Sequence, residues 1–123
     1  MGKTVLLFAL LSTTTYAAGV SLSLKGFAHP SGEPIEYRIR CEATQCRLSH
    51  FEAGAERRSA KIDREAVKSA LRTALPDLRA ALAAGGRMDI QIADGESTLS
   101  GKVASRATTS IVRWCERKLG GIP

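Results

Sequence analysis

Tyr37-Arg38-Ile39-Arg40-Cys41 and Cys46-Arg47-Leu48-Ser49-His50-Phe51 decide how this chain folds. Both segments alternate apolar and polar side chains, the period of a half-buried strand. Glu42 to Gln45 lies between them and has the length of a hairpin loop. With Ala43-Thr44 as a two-residue turn, Glu42 and Gln45 close the loop and Cys41 faces Cys46. That position is a non-hydrogen-bonded pair with Cα atoms about 4.5 Å apart, within the reach of a disulfide. Ala-Thr is a poor pair for a primed turn, and a four-residue loop is the alternative. The cysteines meet at its base in either case. A Cys41–Cys46 disulfide is therefore expected, and Cys115, the last of three cysteines, is left as a thiol.

The same register places Tyr37, Ile39, Cys41, Cys46, Leu48 and His50 on one face of the hairpin. Arg38, Arg40 and Arg47 fall on the other, with Arg40 directly opposite Arg47. Like charges so placed destabilise a sheet by a few tenths to about 1 kcal/mol. Either the register differs, or a bound anion or an internal carboxylate sits between them, and Glu36 and Glu42 on the same face are the internal candidates. Arg57 and Arg58 follow in a polar connection, Gly54 to Lys61. Together Arg38, Arg40, Arg47, Arg57 and Arg58 form the candidate anion-binding set.

Upstream, Val20 to Phe27 alternates as another strand, and His29-Pro30-Ser31-Gly32-Glu33-Pro34 is turn chemistry. Before it, Lys3, the apolar run Val5 to Leu11 and the small residues Ala17-Ala18-Gly19 follow the order of a secretory signal. The apolar run is shorter than the roughly 20 residues that span a bilayer. Residues 1–17 are expected to be a cleaved signal peptide, which makes the chain periplasmic. Residues 18–123 then form a single small domain. Cleavage after Ala17 removes Lys3 and leaves 17 basic against 12 acidic side chains, a net +5. An exported compartment also permits the disulfide.

Downstream, Ile62-Asp63-Arg64-Glu65-Ala66-Val67 reads as a helix start. Asp63 is its N-cap, and Ile62 and Val67 stand at the spacing of a hydrophobic staple. Val67, Leu71, Leu75, Leu78 and Leu82 continue at helical spacing to Gly85-Gly86, with a kink, or two short helices meeting, expected at Pro76. Met88 to Ile92 and Ser97 to Val103 are strands joined at Asp94-Gly95, the strongest short hairpin signal. Pairing Ile92 with Ser97 puts Met88, Ile90, Ile92, Leu99 and Val103 on one face. Ser105 is placed to cap a last helix carrying Ile111, Cys115 and Leu119. The order strand, hairpin, helix, hairpin, helix predicts an α+β fold: a small antiparallel sheet with two helices packed on one face.

Residues 63–123 resemble the BON domain, a module of bacterial envelope proteins. Asp63 to Leu71 is similar to that family's opening helix, with an Asp followed by Ala-Leu. Asp89-Ile90-Gln91-Ile92-Ala93-Asp94-Gly95 and Thr98-Leu99-Ser100-Gly101-Lys102-Val103 resemble its central hairpin. Leu119-Gly120-Gly121-Ile122 falls where the family ends a helix on Gly and a branched residue. The family continues into a further strand after this pair; here residues 20–28 or the Cys41–Cys46 hairpin would have to supply it. The resemblance implies binding of phospholipid or another envelope surface rather than catalysis, and assigns no individual residues.

No residue pattern points to an enzyme. His29 and His50 are the only histidines, and Cys41, Cys46 and His50 are too few for a tetrahedral metal site once the cysteines pair. Cys115 lies mid-helix on an apolar stripe, the setting of an inert thiol. No phosphate loop or facing carboxylate pair is legible, and Trp114 follows Ile111 at core spacing. No cofactor or metal is expected. Export and the absence of a basic arm interleaved with aromatics exclude nucleic acid as the expected partner. The expected function is a non-enzymatic binding module for an anionic envelope surface, phospholipid or glycan. The alternative is a periplasmic inhibitor or immunity protein that binds an envelope hydrolase.

Overall fold

The computed structural model describes residues 19–28 and 31–120; the leader read at residues 1–17 and the His29-Pro30 pair lie outside them. Six strands form one antiparallel sheet: β1 Val20–Phe27, β2 Pro34–Cys41, β3 Gln45–Glu52, β4 Ala55–Asp63, β5 Met88–Asp94 and β6 Thr98–Val103. The spatial order is β4-β3-β2-β1-β5-β6. Helix α1, Arg64–Leu82, follows β4 directly. A 3-10 turn, Ser105–Thr108, leads into α2, Thr109–Lys118. The fold is α+β, with both helices on one face of the sheet.

The alternating strand pattern is what builds the core. Leu22 and Leu24 of β1, Ile39 of β2, Leu48 of β3, and Ile90 and Ile92 of β5 all point to the helical side and are buried. Val67, Leu71, Leu75 and Leu78 of α1 close over them. Each such aliphatic side chain contributes roughly 1.5–3 kcal/mol relative to exposure. Asp63 caps α1, accepting from the Glu65 and Ala66 N–H groups at 3.1 and 3.3 Å. Ile62 and Val67 are both buried beside it, as the staple spacing requires.

The structure departs from the sequence reading in four places. The stretch from Gly54 to Lys61 is not a connection: Ala55–Asp63 is an edge strand. It joins β3 through a two-residue turn with Ala53 at φ 52° and Gly54 at φ 82°, the left-handed pair of a type I′ turn. Its inward positions hold Arg58 and Ala60 before Ile62, so no apolar period announces it. Pro76 lies within one 19-residue helix rather than between two. It is exposed, so the Arg72 carbonyl that loses its helical partner is on the solvent side.

The β5–β6 register is two residues from the expected one, pairing Ile92 with Leu99. Asp94 turns out to close the loop instead of sitting at its tip. Its N–H donates to Ser97 O, and its carboxylate accepts from the Glu96 and Ser97 N–H groups at 2.8 and 2.7 Å. A shift of two preserves the faces, so the buried set is the one expected. Ser105 opens the 3-10 turn rather than capping α2, whose N-cap residue, Thr108, donates its hydroxyl to Ser105 O at 2.7 Å.

Gly101 has a structural cause. It sits at φ 151° under α1, where a Cβ would come within 2.6 Å of Leu82 Cδ2. β1 pairs with β5 on one side and β2 on the other, so it stands as a third strand beside the β5–β6 hairpin.

Candidate functional site

Among the described residues, nothing packs on the sheet face opposite the helices, and strand alternation arranges its side chains in rows. Ser21 of β1, Arg40 of β2, Arg47 of β3 and Lys61 of β4 are in direct register. Three cations therefore stand side by side on neighbouring strands about 4.8 Å apart. Two residues along, the row reads Ser100, Gln91, Ser23, Arg38, Ser49 and Ser59, largely hydroxyls. Two further along it reads Lys102, Asp89, Lys25, Glu36, Phe51 and Glu56, largely alternating in charge.

Arg40 does face Arg47, as the hairpin register requires. The counter-ions expected from sequence are elsewhere. Glu36 accepts from Arg38 Nε at 2.9 Å, and no cation lies within 4.0 Å of Glu42 among the described residues. Arg47 is partly compensated from β4: its Nη2 donates to Ser59 Oγ at 3.0 Å and lies 3.7 Å from Glu56 Oε2. Among the described residues no carboxylate lies within 4.0 Å of Arg40 or Lys61. A shallow groove of about 280 Å³ runs beside Arg40, lined also by Ser21, Ser23, Arg38 and Gln91.

The five arginines read from sequence thus separate. Arg40 and Arg47 share the row, together with Lys61, which sequence reasoning missed. Lys61 alternates with Ala60 and Ile62, and that signal becomes usable once β4 is known to be a strand. Arg38 lies on the same face but is engaged by Glu36, and its guanidinium stacks 4.6 Å from the Phe51 ring centroid. Arg57 is exposed where the β3–β4 register slips between His50 and Phe51. Arg58 pairs with His50 and points to the helical face. It is therefore removed from the anion-binding set, because its partner is internal.

That partner is Glu116 of α2. Arg58 Nη2 donates to Glu116 Oε2 at 2.6 Å, and the Tyr37 hydroxyl donates to the same oxygen. Arg58 Nη2 also lies 3.0 Å from His50 Nδ1, and the His50 and Tyr37 rings stack at 4.7 Å. The hydrogen bond from Arg58 holds the Glu116 carboxyl below its usual range, against the opposing effect of burial. Burial, then the Arg58 charge, lowers the His50 pKa. Burial, then the hydrogen bond to Glu116, raises that of Tyr37.

Cys41 and Cys46 are disulfide-bonded at the base of the β2–β3 loop. Cys115 is free and fully buried, and burial followed by the Glu116 charge pushes its thiol up to about 12. His50 and Cys115 thus lie on the same side of the sheet, but neither lines any of the clefts described here. Among the described residues no three His, Cys, Asp or Glu side chains gather as metal ligands, and no helix is long and apolar enough to cross a membrane. Trp114 is half-buried against the core, with Lys118 Nζ 5.8 Å from its ring centroid. No family model, curated protein or solved structure matches this chain.

Proposed function

We propose that the chain is an exported, periplasmic, non-enzymatic binding module for an anionic envelope surface, phospholipid or glycan. One observation carries this reading: Arg40, Arg47 and Lys61 stand in register on an uncovered sheet face, and two of the three have no carboxylate within 4.0 Å among the described residues. Opposed like charges weaken a sheet on their own, and an anion laid across the row reverses the sign of that interaction. The net +5 left after residues 1–17 are removed draws the same class of ligand from a distance. The leader at residues 1–17 would deliver the chain to the envelope. The BON resemblance of residues 63–123 points to the same setting, with β1 available as the further strand that family carries.

Sedimentation with phosphatidylglycerol vesicles and with a soluble carboxylated polymer, at low and high salt, tests the reading. Binding should fall as salt rises. Arg40→Gln, Arg47→Gln and Lys61→Gln combined should weaken it about a hundredfold, at about 1 kcal/mol per cation near an anionic surface. The salt dependence should flatten with it. Binding by the triple variant equal to that of the parent would overturn the assignment.

A further inference from the structure

The far end of the open face is built differently from the cation row. A cleft of about 430 Å³ lies there, within the size range of small-ligand sites. Lys25, Phe27, Glu36, Arg38, Phe51 and Asp89 are among its lining residues. Phe27 is 66% exposed, the one large hydrophobic side chain so exposed among the described residues. It stands two residues from Lys25 on β1, hence on the same face.

The charges around the cleft are already distributed. Asp89 accepts from Lys102 Nζ at 2.8 Å and Glu36 from Arg38 Nε at 2.9 Å. Lys25 is in register with both carboxylates, yet neither lies within 4.0 Å of its ammonium. Arg38 is fixed from two sides, by Glu36 and by stacking on Phe51. The cleft therefore offers an aromatic platform, an ammonium with no carboxylate within 4.0 Å among the described residues, and two oriented carboxylates with spare acceptor capacity.

We propose that this cleft is a subsite for one ring of an acidic polysaccharide, whose carboxylates further along the chain lie on the Arg40–Arg47–Lys61 row. The inference rests on the binding reading above and narrows its ligand class. A sugar ring presents C–H groups to Phe27 and hydroxyls to Glu36 and Asp89. A phosphate headgroup has no such ring to lay on Phe27, and the sugar ring's own carboxylate has the Lys25 ammonium in the same cleft. Membrane insertion also calls for several strongly exposed large apolar side chains, and among the described residues Phe27 is the one that qualifies, its cleft neighbours Ile35 and Phe51 being partly buried. Phe27 and Ser21, which marks the cation row on β1, are six residues apart, about 20 Å along the strand. Ser23 of β1, with Gln91 and Ser49 on neighbouring strands, offers polar groups between them.

Titration of the protein with a galacturonate hexamer, the same hexamer with its carboxyls methyl-esterified, and phosphatidylglycerol vesicles tests this. The acidic hexamer should bind, the ester should bind far more weakly, and the vesicles should bind no better than the ester. Phe27→Ala should weaken hexamer binding about tenfold with its salt dependence unchanged; Phe27 is exposed, and an unchanged circular dichroism spectrum verifies the fold. Arg40→Gln with Arg47→Gln should weaken binding and flatten the salt dependence. Loss through the arginines with no effect of Phe27→Ala would overturn the subsite and leave the basic face standing. Vesicle binding without hexamer binding would overturn it in favour of a membrane. Binding to none of the probes would overturn both.

Discussion

Arg58 of the edge strand donates to Glu116 of α2 at 2.6 Å, joining two elements that are far apart in the chain. Tyr37 donates to the same carboxylate oxygen and His50 stacks on Tyr37. An arginine placed inward on β4 therefore does at the sheet edge what an apolar residue does at its centre. It ties the strand to the helix layer, with charge in place of hydrophobic area.

Removing one partner leaves the other half-buried without its counter-charge, with only the neutral Tyr37 or His50 beside it. Glu116→Gln and Arg58→Met should each lower unfolding free energy by about 1–3 kcal/mol in urea titrations. The double variant should cost less than the sum of the two, because the groups share one interaction. Additive losses would show that the pair is not coupled.

The same cluster makes stability sensitive to acid. The folded pKa values of His50 and Glu116 are both lowered, so in each case the unfolded chain binds the proton more readily. Stability from each is complete above its unfolded value and is lost as pH falls toward its folded value. The urea midpoint should begin to drop below pH 6.5, the ordinary histidine value, and drop again below 4.5, the ordinary glutamate value. Asp94 adds to the second phase. Burial pushes its pKa up, but the Ser97 and Glu96 N–H groups and Arg72 outweigh this and hold it below 3.8. His50→Gln should remove the first phase and leave the second.

Ala53 sits at φ 52°, a conformation that suits Gly or Asn. Its N–H donates to Pro34 O at 2.8 Å, so a replacement must keep that donor. Ala53→Asn should raise stability by about 0.5–1 kcal/mol by relieving the left-handed strain. Ala53→Val should lower it by at least as much. Thermal unfolding of the two variants provides the check, and a destabilised Asn variant would refute the turn assignment.

Thiol chemistry should distinguish the three cysteines. The native protein should leave Cys115 unmodified by a thiol reagent at neutral pH, since the thiol is closed off and titrates at about 12. Denaturation should release one reactive thiol, and reduction two more. Cys41→Ser with Cys46→Ser should cost about 2 kcal/mol, the chain-entropy value for so short a loop.

How much of this was legible in the amino-acid order differs from element to element. Alternation in β1, β2, β3, β5 and β6, and the spacing of Val67, Leu71, Leu75 and Leu78, are local patterns set by burial on one face. The α+β class, the Cys41–Cys46 bridge and the opposition of Arg40 and Arg47 follow from them without a third dimension. β4 escaped because its inward position 58 is an arginine, whose burial is paid for by a carboxylate 58 residues away. No local period can encode such a partner. The β5–β6 register moved by two because Asp94 uses its side chain to close the loop, and a shift of two leaves the apolar pattern unchanged. Sequence therefore determined which residues are buried and which two arginines oppose each other. Tertiary structure alone decided that Lys61 joins them, that Arg58 leaves for Glu116, and that Phe27 stands exposed beside Lys25. Those three outcomes depend on which strand lies next to which, a matter of chain topology rather than of local spacing.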